Sequence, residues 1–309
     1  MRRIALAAAL AATLAGGAAA LAATPDAGTP DAAPPDPYQG AWALTIDGRM
    51  AGAVTDVQGC GLAAPVIVDA GTHGKHLGSP APEACTFDVG SGMTPDFANL
   101  VDDGLAGIAR THDIELVRID AGTPYGLLLR HAMLSSVALP KVARAGTAPV
   151  FLEVGIAGDS ITREPSPLLK ATRPLPPAGF DPSQLQVRLA GEPLGASAAG
   201  PWSAQVKTNA DQTGGVAREA VAVLATADIG NLPLRVPEGI KGMSRVLDPW
   251  VHSALVDGAA SAGQPVQLTV GTLTLTLDHA APQRADLVPR ADGARTYSLY
   301  AEHAVVTTN

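Results

Sequence analysis

The chain has 309 residues, a length that suits two domains of ordinary size. It carries 29 acidic against 21 basic residues, for a formal net charge of −8. Nucleic-acid binding depends on Lys and Arg contacts with phosphates, so this balance argues against a nucleic-acid partner. With only 4% aromatic residues, an aromatic-lined ligand pocket is not expected, and we predict no cofactor.

Residues 1–22 have the features of a secretory signal peptide. Three residues with two arginines precede the apolar run Ile4 to Leu21, which ends in Ala20-Leu21-Ala22, a small-residue cleavage signal. Removing Arg2 and Arg3 leaves 19 basic and 29 acidic residues, a formal charge of −10. No later stretch of the sequence is long and apolar enough to span a bilayer. We therefore expect an exported protein that is periplasmic, on the cell surface or extracellular.

Two proline-rich passages divide the rest of the chain. Residues 23–37, ATPDAGTPDAAPPDP, offer almost nothing to bury and predict a disordered linker. Residues 165–182 contain a second run of prolines, which interrupts regular structure. This pattern predicts one domain over residues 38–164, the first half, and another over 183–309, the second half.

The first half begins with two predicted hairpins. WALTI at 42–46 is followed by Asp47-Gly48, a strong two-residue turn signal. PVIV at 65–68 and TFDV at 86–89 then flank a second, longer hairpin. Cys60 and Cys85 could tie its ends in an oxidising compartment, and such a disulfide would contribute roughly 3 kcal/mol.

A similar order of elements is predicted in both halves. Residues 94–107 begin with Thr94 and Pro95 and predict a helix, and residues 242–258 predict the counterpart helix with a kink at Pro249. The remaining predicted strands are 113–119, 125–134 and 150–158 in the first half, and 185–195, 202–207, 221–229, 264–270, 272–280 and 297–306 in the second.

Residue matches between the halves suggest an internal duplication. His131-Ala132 corresponds to His279-Ala280, and VFLEVGIAG at 150–158 aligns with YSLYAEHAV at 297–305. The predicted fold is mainly β, of the α+β type, with two tandem antiparallel β-barrel or sandwich domains and one helix in each.

Several segments together resemble the phage tail-tube proteins. PYQGAWALTIDGRMAGAVTDVQGCGL resembles their opening strands before a long hairpin, and TFDVGSGMTPDFANLVDDGLAG resembles their strand, turn and helix. DIELVRIDAGTPYGLLLRHAMLSSVALPKV and VFLEVGIAGDSI resemble the strands that follow and the closing strand. The resemblance covers about residues 38–163 and, more faintly, 183–306.

The resemblance implies a barrel shared with the ring protein of type VI secretion. In that family subunits close into rings around a lumen, and the long hairpin grips the neighbouring ring. Two tandem copies would let three chains form a ring of six domains. For an exported chain, this implies a non-enzymatic structural protein that forms a homo-oligomer through sheet edges and the 65–86 loop.

A serine hydrolase is the first alternative. Gly158-Asp159-Ser160 resembles the way in which GDS-type esterases present a nucleophilic serine. However, the motif lies in mid-chain, Pro165 and Pro167 deny it a following helix, and no late D-x-x-H supplies the base. We expect the segment to be the end of a strand, followed by a Gly-Asp turn.

Metal binding and ligand binding are weaker alternatives. Asp69, His73 and His76 lie in one loop, but a metal site would need a third or fourth ligand in fixed geometry, and the loop is rich in glycine. We predict a solvated loop there and structural roles for His131 and His279. A monomeric envelope binding module with an unknown ligand is the remaining possibility.

Overall fold

A computed structural model describes residues 38–71, 73–119, 125–166, 174–210, 222–258 and 263–308. The predicted signal peptide, 1–22, and the predicted linker, 23–37, lie outside the described residues. Part of the 165–182 passage, residues 167–173, also lies outside them.

The fold is mainly β, as the sequence predicts, and is built around two nine-stranded antiparallel sheets. Alternating apolar residues along the strands supply the core, and buried side chains of both halves belong to one continuous cluster. Strands of the first sheet are β1 (Trp42–Ile46), β2 (Arg49–Gly59), β7 (Cys85–Val89), β8 (His112–Arg118), β9 (Tyr125–Leu139), β11 (Leu152–Ala157), β12 (Ser160–Pro165), β16 (Trp202–Ala210) and β17 (Ala222–Ile229).

Six of these strands close into a barrel. They pair in the order β11-β7-β2-β1-β8-β9, and β9 pairs back onto β11. The helix α1, Pro95–Leu105, buries Phe97, Leu100 and Leu105. Its Gly104 lies against Leu134 of β9, where a Cβ would approach that side chain to 2.5 Å. Glycine therefore allows the helix to approach the barrel wall closely.

The second sheet follows a similar order. The second half also has a helical segment, in which a π-helical turn, Met243–Leu247, runs into α2, Asp248–Leu255. The expected interruption near Pro249 therefore takes the form of a change in helix type. Strands of the second sheet are β10 (Val142–Ala143), β13 (Gln186–Leu189), β14 (Glu192–Pro193), β15 (Ala198–Ala199), β18 (Leu232–Pro237), β19 (Gln264–Val270), β20 (Leu273–Ala285), β21 (Ala294–Tyr300) and β22 (His303–Thr308).

Equivalent positions of the two sheets share their irregular backbone conformations. The tight turns Asp47-Gly48 and Ala190-Gly191 both have positive φ at each residue. His131 and His279 have φ of 48° and 50°, each at a break in strand register between the two strands that follow the helix. The predicted match of His131 with His279 is therefore a match of backbone geometry.

The predicted alignment of residues 150–158 with 297–305 is wrong by four residues. Ile156 faces Cys85 in the first sheet, and Leu299 faces Leu232 at the corresponding place in the second. This register makes β11 the counterpart of β21, and β12 the counterpart of β22. Similar apolar residues along both strands made the shifted alignment look equally good.

The long hairpin of the first half also differs from the prediction. PVIV does not pair with TFDV, because β7 belongs to the barrel and pairs with β2 and β11. The hairpin instead consists of two short ribbons that project between β2 and β7. They are formed by β3 (Leu62–Ala63) with β6 (Ala81–Pro82), and by β4 (Val66–Val68) with β5 (Lys75–Leu77).

The two halves exchange strands. β16 of the second half pairs with β9, and β10 of the first half pairs with β15. Residues Pro37–Asn309 accordingly form one compact unit. None of the described helices has the length and apolar character needed to cross a membrane.

Candidate interaction surface

The hairpin of the first half, described over residues 60–71 and 73–85, carries five exposed large apolar side chains. Leu62 and Leu77 are 64% and 70% exposed, and Val66, Ile67 and Val68 are exposed in succession. Successive residues of a strand point to opposite faces, so both faces of β4 are uncovered. Exposed apolar side chains clustered on one projecting element are typical of a protein-interaction surface.

A disulfide holds the two ends of this hairpin together. Cys60 and Cys85 are bonded, 25 positions apart in sequence, which confirms the predicted pair. Cys85 is fully buried at the start of β7, whereas Cys60 lies just after β2. The hairpin is thereby fixed at its base to the barrel wall.

The hairpin of the second half, β16 with β17, occupies the equivalent place but is covered. It lies between β18 and the end of the β14–β15 segment, as the first hairpin lies between β7 and β2. Trp202, Ala204 and Val206 are buried, and Ser203, Gln205 and Lys207 between and after them are exposed. Its first residues pair with β9, with Trp202 opposite Leu139 and Gln205 opposite Ser136.

The helix α1 forms the second contact between the halves. It contacts β22 as well as both strands of the second hairpin. The half-buried Asp102 accepts a hydrogen bond from the Val306 backbone N–H at 3.1 Å. Burial raises the pKa of Asp102, and this hydrogen bond opposes the shift only in part. Ala304 and Val306 of β22 are buried as a result of this packing.

Ser160 begins a strand rather than following one. The turn lies at Gly158-Asp159, and β12 then continues the pairing with β9, with Ser160 opposite Arg130. The predicted strand end and Gly-Asp turn are confirmed, and β12 is an additional strand, which forms because the second part of β9 offers a further edge. Ser160 is exposed, and within the described part of the chain its hydroxyl has no hydrogen bond to a histidine. His131 instead lies 3.4 Å from the Asp159 carboxylate.

Asp69, His73 and His76 are not assembled as a metal site. Asp69 accepts a hydrogen bond from the His73 backbone N–H, and its carboxylate is 3.6 Å from His76 Nδ1. His76 lies on β5 rather than in a loop. The described residues contain no group of three or more His, Cys, Asp or Glu side chains with metal-binding geometry.

Ionisable side chains gather beside the Asp47-Gly48 turn of the first barrel. The Asp47 carboxylate is 2.8 Å from His112 Nδ1 and accepts a hydrogen bond from the Asp113 backbone N–H. Burial acts against the charge of Asp47, but these two hydrogen bonds, together with electrostatic attraction to His112 and Arg49, outweigh it and lower the pKa. Arg130 pairs with Asp113. Asp47, His112, Asp113 and Arg130 each have an ionisable partner, so the arrangement suits a structural ion-pair cluster better than a catalytic base.

A cleft of about 830 Å³ lies where the halves meet. Asp88 and Glu153 face each other across β7 and β11 in its wall. Burial, followed by repulsion from Asp56 and Glu153, raises the pKa of Asp88. Two carboxylates could share a proton here, but alanine and proline make up much of the remaining wall. The lining also includes Lys141, Thr147 and Ser203, but within the described residues none of these side chains is hydrogen-bonded or ion-paired to the two carboxylates.

Sequence reasoning missed the contacts that join the halves. The alternation in WSAQVK, with Trp202, Ala204 and Val206 on one side, indicates a strand with a covered face, but it does not identify β9 as its partner. The role of Asp102 is also hidden in sequence, since Val306 lies 204 positions away. No protein-family model and no curated protein matches this chain.

Proposed function

We propose that this chain is an exported, non-enzymatic structural protein that self-associates into rings or tubes, in the manner implied by its resemblance to tail-tube proteins. The observation that carries the proposal is the first hairpin. It is apolar on both faces, fixed at its base by a disulfide, and exposed. A covalent bond at the base of an exposed element reduces the conformational entropy that the element loses when a partner covers it.

Three further features support the proposal. The sheets are similar in order, which suits a ring with twice as many barrels as chains, such as three chains with six barrels. The disulfide is compatible with an oxidising, exported location. Within the described residues, no histidine is hydrogen-bonded to the Ser160 hydroxyl, as the base of a serine hydrolase would be.

The direct test is the mass of the mature chain, residues 23–309, in solution. Light scattering after size exclusion over a wide concentration range should give multiples of the chain mass, with a ring of three as the expected closed form. Negative-stain microscopy should show rings or stacks. A single-chain mass at every concentration would reject self-association and favour a monomeric envelope binding module.

A second test separates structure from catalysis. We expect neither the native chain nor Ser160→Ala to hydrolyse short-chain p-nitrophenyl esters above the buffer rate. Turnover that is present in the native chain and lost in Ser160→Ala would establish the hydrolase instead. Because Ser160 is exposed, its removal should leave the fold intact and the comparison valid.

A further inference from the structure

The contact between the two halves is a template for a contact between two chains. Two elements of the first half face the second, the edge of β9 and the helix α1, and they cover the hairpin β16–β17 and strand β22 of the second half. Each element has a counterpart in the other half. If the halves are equivalent, the second half should offer the edge of β20 and the helix α2 to a first half. That first half must come from another chain.

The edge of β20 corresponds to the edge of β9. Leu129 and Leu277 hold the same place next to the two matched histidines, so residues 284–287 correspond to Ser136–Leu139. In the first half, this edge pairs with β16. In the second half, no described strand pairs with that side of residues 284–287, and Leu287 is 70% exposed.

A groove lies beside this edge. It has a volume of about 440 Å³ and is bounded by Pro249 and Val256 on the α2 side and by Ala285 and Leu287 on the β20 side. In the first half, the corresponding space between α1 and β9 holds the hairpin β16–β17, which both elements contact. The groove is therefore the place where the equivalent hairpin would lie.

The first half presents the matching uncovered elements. The hairpin 60–85 is exposed on both faces, as described above. Strand β12 is the counterpart of β22, but Arg163 is exposed at the place that the buried Val306 occupies in β22. The difference arises because α1 covers β22, whereas no described helix covers β12.

We propose that the partner of this surface is a second copy of the chain, bound head to tail. The first strand of the hairpin in one copy pairs antiparallel with residues 284–287 of the next, and α2 of that copy packs on β12. The proposal rests on the proposed self-association and specifies its geometry. Because the two surfaces differ, the contact repeats from copy to copy and closes into a ring or extends as a filament.

The template also fixes the register of the new strand pair. Gln58 lies four residues before Leu62 and faces Thr86 of β7. Ala199 lies five residues before Ala204 and faces Leu234 of β18, which is one residue beyond the counterpart of Thr86. Leu62 is therefore the counterpart of Ala204. Ala204 faces Val137, whose counterpart on β20 is Ala285. Leu62 of one copy should therefore face Ala285 of the next, with their Cβ atoms roughly 5 Å apart.

Cysteine pairing tests this register. One tagged mature chain carries Leu62→Cys, and a second chain with a different tag carries Ala285→Cys. The two are mixed and mildly oxidised, and the expected result is a mixed dimer on a non-reducing gel. Gln267→Cys, at an exposed position of β19 outside the proposed surface, replaces Ala285→Cys as the matched control and should give at least about tenfold less dimer. Equal yields from both mixtures would overturn the proposed geometry.

A charge placed on the β20 edge tests the same contact without cysteines. Leu287→Arg should weaken association at least about tenfold in sedimentation equilibrium, whereas Leu175→Arg, at 76% exposure outside this surface, should leave it unchanged. Association that withstands Leu287→Arg would overturn the geometry but leave the proposed self-association standing. A native chain that stays monomeric would reject both proposals.

Discussion

The two long hairpins occupy equivalent places in the fold but have opposite surroundings. The second hairpin pairs with β9 and buries Trp202, Ala204 and Val206 against the rest of the protein. The first hairpin projects with Leu62 and Leu77 exposed. One hairpin is therefore stabilised by packing, whereas the other is held at its base by a disulfide.

This difference shows how one supersecondary element can serve two purposes. A strand that buries one face needs strict alternation, because a slip of one residue would expose its apolar side chains. A strand that awaits a partner can carry apolar residues on both faces. The predictions below test this comparison. They ask whether packing stabilises the second hairpin, whether the disulfide stabilises the first, and whether coverage by α1 distinguishes β22 from β12.

The largest effect is expected at the docked hairpin. Trp202 is 2% exposed, so Trp202→Ala should remove a large buried side chain and lower the free energy of unfolding by about 3–5 kcal/mol. Leu62→Ala in the exposed hairpin should change it by less than about 0.5 kcal/mol. Urea unfolding of both variants measures the contrast. Similar losses at the two positions would mean that the first hairpin is packed against the chain after all.

The disulfide is expected to have the next largest effect. The double substitution Cys60→Ala with Cys85→Ala opens a link between residues 25 positions apart, which should cost roughly 3 kcal/mol. Urea unfolding of the variant, compared with the native chain with and without reductant, measures this cost. If reduction lowers the stability of the double variant as much as that of the native chain, the loss does not come from this disulfide.

Local sequence signals predicted local structure well. Asp47-Gly48 forms the tight turn that its residues favour, and the sequence from Thr94 to Gly107 gives the helix Pro95–Leu105. Cys60 and Cys85 are bonded as predicted. In each case the deciding interactions lie within a few residues, or the possible partners are limited to one.

Long-range pairing could not be predicted in the same way. Val66–Val68 has two plausible partner strands, and only the closure of the barrel assigns Phe87 and its neighbours to β2 and β11. The strand that begins at Ser160 exists because β9 is long enough to pair with both β11 and β12. Whether Ser160 has a catalytic role stays a prediction, which the ester assay tests.

Substitution of Asp102, which joins α1 to β22, should lower the free energy of unfolding by an intermediate amount. Asp102→Ala leaves the buried Val306 N–H without its acceptor and should lower the free energy of unfolding by about 1–3 kcal/mol. Asp102→Asn keeps an oxygen acceptor and removes the charge, so its effect at neutral pH should be less than about 1 kcal/mol, in either direction.

The pH dependence of Asp102→Asn gives a second test at this site. Burial raises the pKa of Asp102, so above its usual value the folded state holds the proton more tightly than the unfolded state. The contribution of Asp102 to the free energy of unfolding is therefore greatest at low pH and falls as the pH rises through the pKa of Asp102 in the folded state. Asp102→Asn should lack that fall. Parallel curves for the two proteins between pH 3 and 7 would contradict the raised pKa.

The smallest effect is expected at Arg163, the counterpart of Val306. Arg163 is exposed on β12 and lies 4.9 Å from the ring centre of Tyr125, so Arg163→Ala should cost the single chain less than about 1 kcal/mol. Val306→Ala removes methyl groups buried under α1 and should cost about 2 kcal/mol. If α2 of another copy covers β12, Arg163→Ala should alter association more than it alters unfolding. An unchanged association constant would place β12 outside the contact between copies. The exposure of β12 would then follow only from the lack of a described helix that covers it.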